Sequence, residues 1–462
     1  MAKLKLPVYK KEELTVRIED LTYQGLGVAK VAGYPLFIKE ALPGEEVVVK
    51  VEKLGKHFGY AKALKWLSTS ADRVKTKAKY LQTGIAPLMH LSYPAQLAFK
   101  QKLIKDLLAK AHLDQLEVAQ TLGMAQPYAY RNKAQVPVRQ VRGQLEIGFF
   151  KQGSHDFVSL EDFYIQDKRI DQVLVTVRDI LRKYQLSAYD EKSHTGVVRH
   201  LMVRRGYYSK QVMVVIVTRT KKLPHAPEIA RDILAACPDV VSLLHNVNEA
   251  KTNVILGSKT ELLAGQTEIE DQLDGLTFKI SAQSFYQINP TQTERLYQTA
   301  IKQAGLTGKE TVIDAYCGIG TISLSMARHA NKVYGVEIVP QAIADAKRNA
   351  EVNKLTNLTF EVGEAESWMA TWQAQGIKPD VIMVDPPRKG LTESLITSAT
   401  AMAPKKIVYV SCNPATLVRD LKSFIAKGYQ VTAPIQPVDQ FPQTTHVETV
   451  VLMSRVKVNT MF

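Results

Sequence analysis

Two residue types near the C-terminal end of the sequence pair nucleophilic with basic chemistry. Val410-Ser411-Cys412-Asn413-Pro414 sets a cysteine just past the apolar stretch KIVYVS and just before a helix predicted to begin near Pro414. A thiol at the C-terminal end of a parallel strand lies on the edge where open α/β sheets bind ligands. Its thiolate can form a covalent intermediate, and nearby positive charge and the helix N-terminus are expected to favour that ionised form. Phe441-Pro442-Gln443-Thr444-Thr445-His446-Val447-Glu448 precedes the last predicted strand and brings a carboxylate, Glu448, that can face the same edge and serve as a base. Cys237 and Cys317 read instead as small buried hydrophobes, although Cys317 lies in a glycine-containing turn.

That turn, Asp314-Ala315-Tyr316-Cys317-Gly318-Ile319-Gly320-Thr321, joins an apolar strand to a helix, and its glycines allow a tight bend and close approach of a ligand. Glu337 closes the next strand, KVYGVE, 23 residues after Asp314, where such folds put a carboxylate against ribose hydroxyls. The pair points to a nucleoside cofactor. Asp385-Pro386-Pro387-Arg388 follows the strand DVIMV, and an acid plus Pro-Pro at this strand end is a pattern of S-adenosylmethionine-dependent methyl transfer. The aromatic residue that follows Pro-Pro in amino-methylases, and stacks on the flipped base there, is Arg388 here, which argues against an exocyclic amine as acceptor. A thiol and a carboxylate beside a methyl donor suit carbon 5 of uracil, which attacks a methyl group only after a thiolate has added to carbon 6. A base must then remove the carbon 5 proton. Reaching such a base in structured RNA costs a few kcal/mol of unstacking.

These loops need a scaffold, and the sequence from about residue 266 onward supplies one in alternating strands and helices, the pattern of a doubly wound α/β sheet. Residues 14–66 alternate apolar and polar positions between QGLG, AGYP and LPGE turns, predicting five short strands of an OB-like β-barrel. Lys50, Lys53, Lys56, His57, Phe58 and Tyr60 would suit single-stranded nucleic acid there. Residues 93–112 have helical apolar spacing and are a candidate to dock on the C-terminal domain. The division expected is therefore 1–66, a barrel; 67–265, a central α/β domain; and 266–462, the doubly wound domain. Inside the central part, RHLMVRRGYYSKQ reads as a basic ribbon facing RNA, or equally as a strand with a solvated basic face.

The composition agrees with a polyanionic partner: 60 Lys and Arg against 45 Asp and Glu give a net charge of +15 over 462 residues. Residues 1–110 hold 20 of those bases against 10 acids. Three widely spaced cysteines give neither a disulfide framework nor a zinc pattern, and the start MAKLKLPVYKKEEL has no apolar core of a signal peptide. A soluble enzyme of the reducing cytoplasm is expected, with no membrane segment and no obligatory protein partner.

The motifs together resemble the RNA uracil-5-methyltransferase family, and in particular its ribosomal members with an N-terminal TRAM domain, from about residue 14 to the end. The resemblance rests on Ser284-Phe285-Tyr286-Gln287-Ile288-Asn289, the DAYCGIGT turn, Asp385-Pro386-Pro387-Arg388-Lys389-Gly390, SCNPAT at 411–416 and His446-Val447-Glu448. It implies a Rossmann-like methyltransferase domain using S-adenosyl-L-methionine. It further implies Cys412 as nucleophile, Glu448 as base, and Gln287, Tyr316, Glu337 and Asp385 around the cofactor and base, with Gln283 and Glu364 as second-rank candidates. The implied substrate is 23S ribosomal RNA and the implied product 5-methyluridine. Many members also hold a [4Fe–4S] cluster on four cysteines. Lys77, Thr83, Ala86 and Phe163 occupy those places here and none can ligate iron, so no cluster and no metal site are expected.

Rival readings are the same chemistry on transfer RNA, an RNA cytosine-5 methylase, and a noncatalytic RNA-binding assembly factor. Arg388 stands in the neighbourhood where a cytosine-5 methylase carries its second cysteine, and retention of both Cys412 and Glu448 speaks against a relic. A nicotinamide dehydrogenase is remote, since nothing around Cys412 suggests hydride chemistry.

Overall fold

The computed structural model describes residues 6–456. The N-terminal barrel has six strands rather than five, because the first predicted strand bends at Ile18 and Glu19 and serves two neighbours. Glu13–Arg17 pairs with Glu46–Leu54, while its continuation Asp20–Leu21 pairs with Gly27–Val31 at the other end of the sheet, which closes the barrel. Alternate residues Val47, Val49 and Val51 point into its core. Phe58 and Tyr60 remain exposed and cluster with Phe37, ring centroids 5.2 and 5.8 Å away.

The central unit is a seven-stranded mixed sheet with the helices Lys168–Lys183 and Ala226–Ala236 packed on it. Its strand Val198–Arg205 runs between Lys133–Val141 and Val212–Thr218, so the expected solvent-facing basic ribbon is in fact an interior strand. Arg199 and Arg204 are buried, and Arg199 donates to the carbonyls of Asn248, Ala250 and Thr252. Ala86 and Phe163 are fully buried; Tyr80, Leu81, Ala86, Met89, Tyr130 and Ile165 form one apolar cluster. Among the described residues no group of three or more His, Cys, Asp or Glu could hold a metal ion, and no helix is long and apolar enough to cross a membrane.

Residues 266–310 depart from the expected alternation: they form the antiparallel hairpin Glu268–Leu273 and Leu276–Ser281 and the helix Pro290–Ala304. Ile269, Phe278 and Ile280 of the hairpin share a core with Met202 and Val215 of the central sheet and with the C-terminal domain. The C-terminal sheet runs in the order Leu358–Val362, Lys332–Glu337, Thr311–Asp314, Val381–Val384, Lys406–Ser411, Glu448–Arg455, Tyr429–Val431. The first five are parallel and Glu448–Arg455 is antiparallel to its neighbours. These buried parallel strands read as continuous apolar runs because helices cover both faces. The helix Tyr93–Lys110 packs on Pro414–Ala426 and sends Ile104 and Leu108 into the core of this domain.

Candidate active site

The strand Lys406–Ser411 is an unbroken apolar segment that stops at Ser411. Pro414 at the first turn and the Asn413 side chain, accepting from the Ala415 amide, then start a helix, leaving Cys412 in the short link. The antiparallel ladder with Glu448–Arg455 ends at the pair Ser411–Thr449, so Cys412 and Glu448 each lie one residue beyond it, near enough for the carboxylate to act on the thiol. Glu448 is held from its other side by Val438, with which it pairs. The Asp385-Pro386-Pro387-Arg388 loop is tied to the cysteine link by the Asn413 amide, which donates to the Arg388 carbonyl at 2.9 Å.

Carboxylates form a continuous line along this edge. Buried Asp314 is pushed up to about 6, by burial first and Glu337 last, while accepting from the Ser323 hydroxyl and, at 3.5 Å, the Tyr316 amide. Half-buried Asp385 is pushed up to about 7 by burial of its carboxyl and by Asp314. Glu448 is pushed up to about 8 by burial and by Asp385, with Arg388 opposing. The Cys412 thiol goes up to about 11 through burial, then Glu448 and Asp385; Arg388 opposes this too. The expected low thiol pKa is therefore not a property of the free protein: desolvation and two acids outweigh Arg388 and the helix terminus.

The glycine turn has Gly318 at φ +53° and Gly320 at φ +86°, conformations that favour glycine, and a Cβ on Gly318 would meet only open space. The turn thus leaves a free approach beside Asp314. Half-buried Glu337 lies on the same edge, its carboxylate accepting from the Val339 amide at 3.1 Å. The Tyr316 hydroxyl is pushed up to about 12 by burial, then by Glu366, Asp420 and Glu337. Gln287 reaches the group from the segment after the hairpin: its side-chain oxygen lies 3.5 Å from the Gln440 amide, and its carbonyl accepts from Asn132. Exposed Gln283 donates to the Gly257 carbonyl, and exposed Glu364 follows the strand Leu358–Val362, whose last residue pairs with Glu337, and precedes the helix Ala365–Ala374.

Several participants were not singled out from the sequence. Arg388, in the sequence a mark against amino and cytosine-5 methylation, has a charge that opposes the shifts of both Cys412 and Glu448. The segment 439–443 is held by the helix Tyr93–Lys110: buried Lys100 bonds the Asp439 carboxylate and the Phe441 carbonyl, Tyr93 donates to Asp439 at 2.8 Å, and Gln96 exchanges two bonds with Gln443. No local signal in the sequence connects residues more than 300 positions apart. The barrel also abuts this segment, since an added Cβ on Gly25 would lie 3.3 Å from Thr445.

Residues 92–456 match the tRNA (Uracil-5-)-methyltransferase family model, and residues 7–64 match the TRAM domain. The chain belongs to this uracil-5-methyltransferase family. It is 61% identical to an uncharacterized RNA methyltransferase of Lactiplantibacillus plantarum, over 98% of this chain and 99% of the relative. An uncharacterized RNA methyltransferase of Enterococcus faecalis is 50% identical over 97% and 98%. Among solved structures, the Pyrococcus abyssi tRNA (uracil-54, C5)-methyltransferase in complex with S-adenosyl-L-homocysteine is similar, with a TM-score of 0.77 and 27% identity over 95% of this chain and 99% of that one. The fold of this methyltransferase is thus shared along nearly the whole length of that neighbour.

Proposed function

We propose that this family member transfers the methyl group of S-adenosyl-L-methionine to carbon 5 of a uridine in 23S ribosomal RNA, with Cys412 as nucleophile and Glu448 as base. The observation that carries the reading is that Cys412 and Glu448 come together beside Asp385 at the carboxyl edge of the sheet, each one residue past the Ser411–Thr449 pair. The residues present suit a cationic nucleoside: the open turn at Gly318, the carboxylate Glu337, and a line of acids each raised by burial, which a positive charge relieves. Gln287, Tyr316, Glu337 and Asp385 would hold it, and when bound it supplies an electrophilic methyl on a sulfonium. The Cys412 sulfur bonds to carbon 6 of uracil, carbon 5 gains the electron pair and takes the methyl, Glu448 removes the carbon 5 proton, and the carbon–sulfur bond then breaks to restore the thiolate.

Transfer RNA is a second reading, favoured by the Pyrococcus abyssi tRNA (uracil-54, C5)-methyltransferase, which is similar over 95% of this chain. The resemblance of the motifs to ribosomal members supports the first. Methyl transfer to unmodified ribosomal and transfer RNA in parallel, with mass-spectrometric mapping, tests both. The expected result is 5-methyluridine in large-subunit RNA alone; methyl in transfer RNA alone overturns the substrate, and methyl in neither overturns the activity.

A further inference from the structure

The chemistry above leaves unused a group of cations on the central sheet. Lys133 and Arg204 are directly paired across the strands Lys133–Val141 and Val198–Arg205, a like-charge pair that sheets avoid. Arg131 lies two residues before Lys133 and adds a third charge close enough to act on it. Among the described residues none of the three has a carboxylate partner. Arg204, 2% exposed, donates only to the carbonyls of Ser281 and Ser284. The Lys133 ammonium has no hydrogen bond, and the group that favours the charge of Arg131 is the neighbouring Tyr130 hydroxyl. The nearest acids are committed elsewhere: Asp167 pairs with Arg205 at 2.7 Å, and Asp271 accepts the amides of Tyr207, Tyr208 and Ser209. Burial, Arg204 and Arg131 together hold the Lys133 ammonium down to about 7. Three desolvated, uncompensated cations are unfavourable in the free protein, and an anion relieves them.

Their position says which anion. Asn132, between Arg131 and Lys133, donates to the Gln287 carbonyl at 3.1 Å, and its own amide donates to the Ile288 carbonyl. Tyr130 donates to the Pro442 carbonyl at 3.1 Å. The segment 130–133 therefore crosses from the Gln287 loop to the loop that leads into Glu448. Half-buried Arg131 and Lys133 flank Asn132 in this crossing, and Arg204, paired with Lys133, reaches the Ser284 carbonyl three residues before Gln287.

We propose that Arg131 and Lys133, backed by Arg204, seat a backbone phosphate of the RNA strand next to the nucleotide whose base enters between Cys412 and Glu448. This rests on the RNA reading above. Phosphate contacts fix register on the nucleic acid and carry a salt-dependent share of affinity. The alternative oxyanion for the same cations is the carboxylate of the methyl donor.

The test uses the full chain with Lys133→Gln and Lys133→Arg. RNA affinity is measured against salt on whichever unmodified transcript, ribosomal or transfer RNA, the wild type methylates, and S-adenosylmethionine affinity is measured separately. Lys133→Gln is expected to bind RNA several-fold more weakly, with a log–log salt slope smaller by about 0.7, the share of one single-strand phosphate contact. S-adenosylmethionine affinity should be unchanged, and Lys133→Arg should restore the slope. An unchanged RNA slope overturns the seat, and a loss confined to S-adenosylmethionine affinity assigns the cations to the donor carboxylate and overturns it too. A wild type that binds and methylates neither RNA overturns the underlying reading instead.

Discussion

Cys412 lies one residue beyond Ser411, the last residue of its strand to pair with Glu448–Arg455, and Glu448 lies one residue beyond Thr449, the other member of that pair, close enough to act on the thiol. The strand pairing of Glu448 with Val438 fixes the carboxylate, while Asn413, capping the next helix and holding the Arg388 carbonyl, fastens the link that carries the thiol.

The electrostatics of this pair give opposite signs for two neighbours. Asp385 raises the pKa values of both Cys412 and Glu448, and Arg388 lowers both. Glu448, raised to about 8, should give kcat/KM a rising limb near that pH, because the base acts only when ionised. Asp385→Asn should move that limb down and Arg388→Gln should move it up, each on the order of one unit. Shifts in the same direction for both variants would contradict this account.

Raising a carboxyl in the folded state has a linked effect on stability. Native Glu448 keeps its proton up to about pH 8, whereas the unfolded chain releases it near the ordinary value of 4.5. Stability is therefore lost as pH rises between those values. Glu448→Gln removes this loss, so the ligand-free variant should exceed the wild type by roughly 4–5 kcal/mol at pH 9 and by only about 1 kcal/mol at pH 5. Thermal melts at the two pH values check this; a difference independent of pH would refute it.

Asn413 caps the helix Pro414–Ala426 and also holds the Arg388 carbonyl. Asn413→Ala should cost about 1 kcal/mol of stability through the lost cap. It should also lower kcat, because the Asp385 loop is no longer fastened beside Cys412. Unchanged turnover would show that the loop is held without it.

Lys100 and Asp439 form a fully buried ion pair joining the helix Tyr93–Lys110 to the segment before Glu448. Lys100→Met leaves Asp439 buried and should cost about 3–5 kcal/mol in chemical denaturation. A double variant with Asp439→Leu should recover part of that, since it buries no lone charge. A single variant as stable as the wild type would contradict the buried pair.

The parts of this molecule that were legible in the sequence are those built from consecutive residues. The DAYCGIGT turn, the Asp385-Pro386-Pro387-Arg388 loop and the SCNPAT link each lie where an apolar strand meets a helix, so their motifs carry both fold and position. What escaped depends on pairing between distant segments. Nothing near Lys100 announces Asp439, and Arg204 looked like one face of an exposed strand until its two flanking strands were seen to enclose it. The Glu268–Ser281 hairpin was missed because its alternation is short and its partners, the central sheet and the helix Pro340–Val352, are remote in sequence. The thiol pKa was misjudged for the same reason: the helix terminus is local, while Glu448 and Asp385 come from other strands.

The central claim is tested most directly by trapping. Glu448→Gln keeps Cys412 able to add to carbon 6 but removes the base that clears carbon 5, so incubation with S-adenosyl-L-methionine and unmodified RNA should accumulate a protein–RNA adduct stable on a denaturing gel. Mass spectrometry should map it to Cys412, and it should vanish in the Cys412→Ala, Glu448→Gln double variant. Normal turnover by Glu448→Gln with no adduct would contradict the pairing of Cys412 and Glu448 as nucleophile and base.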